Sequence, residues 1–197
     1  MRKSLPVFLI LVFAILLSAF TSVNLVETQV GKVTLPIPQE FYKLNDQDVV
    51  STFGMVHLPL GIYSNTERDI FIAVTSKEDS LTRSSKIEYK ASSPEYVDDL
   101  KLYQMFQKSS LYNIYSKINI HTDTLVTIGT RRYMIMEFDS EINGENSQGV
   151  PTTTDHYNYV MHCFTRNKSY IINFSCPKEK MEKWKPIASE IMAGVKW

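Results

Sequence analysis

Two β-rich runs, Tyr157–Thr165 and Ser169–Ser175, flank the polar triplet Arg166-Asn167-Lys168, and no other stretch constrains the fold as much. Aromatic and β-branched runs around a short polar turn predict an antiparallel hairpin. Side chains alternate across a strand, so Tyr157, Tyr159, Met161 and Cys163 share one face. With Asn167 and Lys168 as the turn, Tyr170, Ile172, Phe174 and Cys176 fall on the same face. The opposite face carries Val160, His162, Phe164, Ile171 and Asn173. Both faces are largely apolar, so both need a covering layer.

Helices supply that cover. Ser93-Pro94-Glu95 reads as a helix start, with Ser as N-cap, Pro at the first helical position and an acid in the first turn. Val97, Leu100, Tyr103 and Phe106 follow at three-residue steps, with Leu111 and Ile114 beyond. The spacing predicts one amphipathic helix over 94–115, with Ser109-Ser110 as the place to bend or fray. Pro177 opens a second helix with an apolar stripe of Met181, Trp184, Ile187 (or Ala188) and Ile191. Pro186 would kink it or split off its first turn.

The remaining segments read as strands. Gln29–Leu35 is expected as a short first strand, after which Pro36 and Pro38 hold Leu35–Gln39 extended and Phe41-Tyr42 forms an apolar anchor. Val56–Tyr63 and Ile70–Thr75 alternate around the polar turn Ser64–Arg68. Ile118–Asp139 has strand character, with a tight turn at Ile128-Gly129-Thr130. Beyond it, Met134, Met136 and Phe138 share a face. Glu141–His156 is polar, contains Asn143-Gly144, and is expected as a loop or hairpin end. The sum is an α+β fold: an α/β/α sandwich around a mainly antiparallel β-sheet with two main helices.

The first 22 residues are read separately. Arg2 and Lys3 precede an uncharged apolar run, Leu5–Leu17, and then the small residues Ser18-Ala19-Phe20-Thr21-Ser22. This is the pattern of an export signal cut near Thr21 or Ser22. An uncleaved membrane anchor is the alternative, since the run reaches about 19 residues when its hydroxyl residues are counted. No Cys follows it, which argues against a bacterial lipid anchor. Residues 23–197 are then expected as a single exported domain, periplasmic or extracellular. The whole chain has 21 basic and 21 acidic residues, and this balance argues against a nucleic-acid binder held by a basic field.

An exported chain with two cysteines invites a disulfide. The hairpin argues otherwise. With the turn at Asn167-Lys168, Cys163 lies opposite Ile172 and Cys176 opposite Tyr159. The two cysteines are then roughly 13 Å apart along the ladder, beyond the reach of about 7 Å that a disulfide needs. Two buried free thiols are expected.

The chemistry-bearing residues form no recognised constellation. The histidines are His57, His121, His156 and His162, with no His-Glu-x-x-His and no Cys-x-x-Cys, so no metal site is assigned. His156 and His162 are six residues apart on one strand, roughly 20 Å. Asp155-His156 would point to opposite faces. Asp139-x-Glu141-x-Asn143-Gly144 resembles the start of a calcium loop, but its twelfth position is Val150, where a bidentate acid is required. There is no Gly-x-Ser-x-Gly, phosphate loop or dinucleotide fingerprint. No catalytic residue and no cofactor is therefore assigned. The residues singled out as ligand or partner contacts are His162 and Asn173, expected to face each other across the hairpin and hydrogen-bond, together with Tyr159 and Arg131. Arg131-Arg132 reads either as an anion contact or as a solvated edge that deters strand addition.

The order of elements resembles the PsbP-like superfamily, of the PsbP, Ran-binding Mog and DcrB type. The resemblance is carried by Val33-Thr34-Leu35-Pro36-Ile37-Pro38-Gln39-Glu40-Phe41 and by Val126-Thr127-Ile128-Gly129-Thr130-Arg131-Arg132-Tyr133. It continues in Tyr170–Cys176, in Trp184-Lys185-Pro186-Ile187 and in the ending Val195-Lys196-Trp197. The chain departs from that pattern at Ala193-Gly194, where relatives commonly have a Ser-aromatic pair. The resemblance implies an α/β/α sandwich and a mostly non-catalytic role in scaffolding or assembly. The expected function is an exported, non-enzymatic accessory or binding domain of a bacterial envelope that presents a surface to another envelope protein. A small envelope hydrolase or ligand-binding protein, with its site in the Tyr-rich hairpin region, is the alternative.

Overall fold

A computed structural model describes residues 23–53, 57–78, 94–128, 131–145, 149–164 and 168–197. The expected leader, Val56, the Ser93 cap, the Gly129-Thr130 turn and Asn167 of the expected Asn167-Lys168 turn lie outside the described residues, whereas Lys168 opens a strand. The strands are β1 (Leu25–Val30), β2 (Val33–Pro38), β3 (Tyr42–Lys43), β4 (Gly61–Ser64), β5 (Phe71–Glu78), β6 (Lys117–Ile128), β7 (Arg131–Glu145), β8 (Pro151–Phe164) and β9 (Lys168–Pro177). The helices are α1 (Asp46–Phe53), α2 (Pro94–Ile114) and α3 (Met181–Ala193), the last entered through a tight turn at Lys178–Lys180. β3 to β9 form one antiparallel sheet in the order β3-β4-β5-β9-β8-β7-β6, and β1 and β2 form a separate hairpin.

The expected α+β sandwich is present, and each sheet face is covered. On the first face lie Ile72, Val74, Tyr157, Met161, Cys163, Ile172, Phe174 and Cys176. The β1–β2 hairpin covers them with Val33, Leu35 and Ile37, and α3 with Trp184, Ala188 and Ile191. Trp184 stands between Phe41 and Phe174, at ring distances of 5.5 and 6.1 Å. On the second face, Met134, Met136, Phe138 and Phe164 pack beneath Leu100, Tyr103 and Leu111 of α2. At the other end of that face, α1 sets Val49 and Phe53 against Ile62 and Phe71.

Several boundaries differ from expectation for local reasons. The first strand is a hairpin: Gly31 takes φ +65, a conformation that suits glycine, and turns the chain between β1 and β2. The β4 strand begins at Gly61. Helix α1 was not expected, yet it carries a sound N-cap, with Asn45 Oδ1 accepting from the Asp48 N–H at 2.8 Å. Of the two expectations for 141–156, a loop or a hairpin end, the hairpin end is the one present. β7 and β8 extend into it as a ribbon, from Glu141 opposite Asp155 to Glu145 opposite Pro151.

Helix α2 keeps its expected start and runs unbroken through Ser109-Ser110. Its buried stripe drifts off the three-residue spacing, as 3.6 residues per turn requires. Leu100, Tyr103 and Leu111 turn inward, whereas Phe106 is 63% exposed.

Candidate functional site

The β8–β9 ladder pairs Cys163 with Tyr170 and Cys176 with Tyr157. This register is two residues away from the expected one. Because the shift is even, every side chain keeps its predicted face. It moves the cysteines six positions apart along the ladder, and both are free and buried. Burial pushes the Cys163 thiol up to about 11 and the Cys176 thiol up to about 12.

The same shift separates the expected His162–Asn173 pair. His162 lies opposite Ile171, and Asn173 opposite Val160. His162 instead meets α2, with the Tyr103 hydroxyl 3.3 Å from Nδ1 and its ring packed near Phe164. Burial lowers its pKa to about 4, and Lys77 adds to the effect, so the ring is neutral at physiological pH. Arg131 lies 5.1 Å from the Trp197 ring, which itself packs edge-on against Tyr170 at 5.0 Å. It braces the C-terminal segment. The four residues singled out in the sequence thus lie in separate places, and only Tyr159 borders the polar cluster described next.

That cluster sits on the first face, at the side of the sheet where β6 and β7 run on past α3. Glu137 and Asp139 alternate on β7 and are each 8% exposed. Sequence reading placed no role on either. Lys178 Nζ pairs with Asp139 Oδ2 at 3.2 Å, and His121 Nε2 stands 3.1 Å from Oδ1, which is buried without a well-formed hydrogen bond. His121 owes its position to a bulge, since the β6–β7 register slips between Ile120 and Thr122 and leaves His121 as the extra residue. Lys185 of α3 forms an ion pair with Glu137, and its ammonium lies 5.8 Å from the Tyr157 ring centroid. The Tyr157 hydroxyl is fully buried beside Glu137 without a well-formed hydrogen bond. Burial, reinforced by Glu137, raises the pKa of both Tyr157 and Tyr159.

Beside Asp139 is a depression of about 70 Å³, lined by Lys117, Asn119, Asp139, Ser140, Glu141, Asp155 and Lys178. That is room for a water or two, far below the several hundred Å³ of a substrate pocket. Ser140 turns its hydroxyl to the other face, where Asn158 Nδ2 donates to it at 2.9 Å. His156 Nδ1 and Ser175 Oγ are 3.4 Å apart, and among the described residues no carboxylate meets the other ring nitrogen. No group of three metal-ligating side chains occurs among the described residues. With both acids of the cluster in ion pairs, the arrangement offers a mixed-charge surface for polar contacts.

No family model and no curated protein matches the sequence. Solved structures do resemble the chain. Cyanobacterial PsbP (CyanoP) from Synechocystis sp. PCC 6803 is 12% identical, covers 88% of this chain and 92% of its own, and superposes with a TM-score of 0.56. LpqN of Mycobacterium tuberculosis, described as involved in cell envelope biogenesis, is 11% identical over 87% and 89%, with a TM-score of 0.51. The Ran-binding protein Mog1p of Saccharomyces cerevisiae is 16% identical over 89% and 96%, with a TM-score of 0.49. The chain has the PsbP-like fold.

Proposed function

We propose that this protein is an exported, non-enzymatic accessory component of a bacterial cell envelope that binds another envelope protein through the mixed-charge surface around Asp139. The observation that carries this reading is the state of that cluster: its two buried acids are already in ion pairs with Lys178 and Lys185. A partner gains from such a surface by adding contacts at its rim, where Lys117, Glu141 and Asp155 stand. The apolar run at residues 5–17 supports export, as does the likeness to an envelope protein. No helix among the described residues is long and apolar enough to cross a membrane.

The test is fractionation of the tagged full chain followed by mild crosslinking and co-purification from envelope extract. We expect recovery with the envelope and one reproducible protein partner. The charge reversals Lys117→Glu and Asp155→Lys should each weaken that capture while leaving the circular dichroism unchanged. Recovery in the cytoplasm, or capture indifferent to both reversals, would overturn the proposal.

A further inference from the structure

The seven-stranded sheet ends in two unlike edges. β3 has two residues, whereas β6 has twelve and pairs with β7 alone among the described strands. A free edge exposes backbone N–H and C=O groups that template another strand, and proteins blunt it with bulges, prolines or lysines. The first half of β6 is blunted in this way, since Lys117 opens it and the bulge at His121 breaks its regularity. The second half, Thr122–Ile128, has no proline, no basic residue and no bulge. Five of its seven residues are β-branched. Its single charge, Asp123, is already met by Gln104 and Lys108 of α2, so another strand can add there without burying an unpaired ion.

A second observation adjoins this edge. Gln104 and Lys108 reach β6, while Tyr103 touches His162 and Phe164 on β8, so one flank of α2 lies over the edge. Met105 and Tyr112 stand three residues before and four after Lys108, on that same flank. They are 68% and 58% exposed.

We propose that the chain self-associates as a two-fold dimer by antiparallel pairing of Thr122–Ile128 with the same segment of a second copy. A two-fold axis normal to the sheet keeps the faces of both copies continuous only when odd-numbered residues oppose odd and even oppose even. Centring on Leu125 meets this condition. It sets Thr124 opposite the second copy's Val126, Thr122 opposite its Ile128 and Asp123 opposite its Thr127. In the first two pairs β-branched residues meet β-branched residues, and the two Asp123 side chains stay apart. Strand pairing alone falls short of the roughly 800 Å² per partner of a stable interface. The same axis brings the two α2 flanks side by side, and Met105 and Tyr112 supply apolar area there. This inference is independent of the envelope reading.

The test uses Thr124→Cys and Val126→Cys, each made in the full chain in mild detergent. Mixed together, they put the new cysteines on directly opposed residues with Cβ atoms about 5 Å apart. Each variant alone leaves its cysteines two positions out of line, roughly 8 Å apart and poorly placed for a disulfide. The native Cys163 and Cys176 are buried and do not compete. We expect the mixture to yield at least ten times more disulfide-linked dimer than either variant alone. Sedimentation should give a dimer mass for the unmodified chain and a monomer mass for Thr124→Lys, with unchanged circular dichroism. A monomeric unmodified chain, equal crosslinking in all three samples, or a dimer that survives Thr124→Lys would overturn the proposal.

Discussion

Replacement of Gly194 by alanine separates two opposed effects with a known sign each. Gly194 ends α3 with φ −84 and ψ 1, a conformation open to any residue. On backbone grounds alone, Gly194→Ala would stabilise the fold by about 0.4–1 kcal/mol, by narrowing the unfolded ensemble. Packing reverses this. A methyl carbon at position 194 would stand 2.6 Å from Cγ and 2.9 Å from Cδ of Pro36, and 3.3 Å from the Glu190 carbonyl oxygen. The proline ring cannot swing aside as a flexible side chain would, and Pro36 is held in β2 opposite Glu27. Overpacking of this kind costs about 1–3 kcal/mol. The net expectation is a loss of about 1–2 kcal/mol, or a melting temperature lower by about 2–8 °C for a domain of this size. Thermal unfolding followed by circular dichroism reads it directly. In a Pro36→Ala background the ring carbons are gone, so Gly194→Ala should become neutral or stabilising. An unchanged or higher Tm for the single variant, or a cost that persists without Pro36, would refute the reasoning.

Two further outcomes follow from burial. His162 binds its proton only near pH 4 when folded, against 6.5 when exposed, so the unfolded chain holds more protons between those values. Stability supplied by the neutral ring is therefore complete above about pH 6.5 and is lost as the pH falls toward 4, by about 3 kcal/mol at most. His162→Phe should flatten that part of the pH–stability curve in urea titrations, and an unaltered slope would count against it. Cys163 and Cys176 should resist alkylation at pH 8 in the folded state, react once the chain is unfolded, and leave gel mobility independent of reductant. Rapid labelling of the folded protein would contradict their burial.

Faces were easier to read from the sequence than partners. The alternation along Tyr157–Cys163 and Tyr170–Cys176 assigns every side chain to its layer, because a period of two survives any even slip of register. The register itself is not fixed by that alternation, because more than one two-residue turn between the two runs leaves the same faces. Loop and hairpin end stayed undecided at Glu141–His156 because most of its described side chains face solvent, so no apolar alternation marks the ribbon. Helix α1 left a capping signal at Asn45 and Asp48, but its eight residues bury only Val49 and give little periodicity. The candidate site was least legible. Lys178 and Lys185 reach Asp139 and Glu137 from about forty and about fifty residues away in sequence, and the bulge that presents His121 breaks the alternation on which strand prediction relies.

The central ladder has a consequence for biogenesis. β5 finds its partner in β9, so Phe71 must wait for Ser175, a loop closure of roughly a hundred residues. A nascent chain still on the ribosome lacks the middle of its sheet, and its two halves cannot join. The core between β5 and β9 therefore closes only when synthesis is nearly complete.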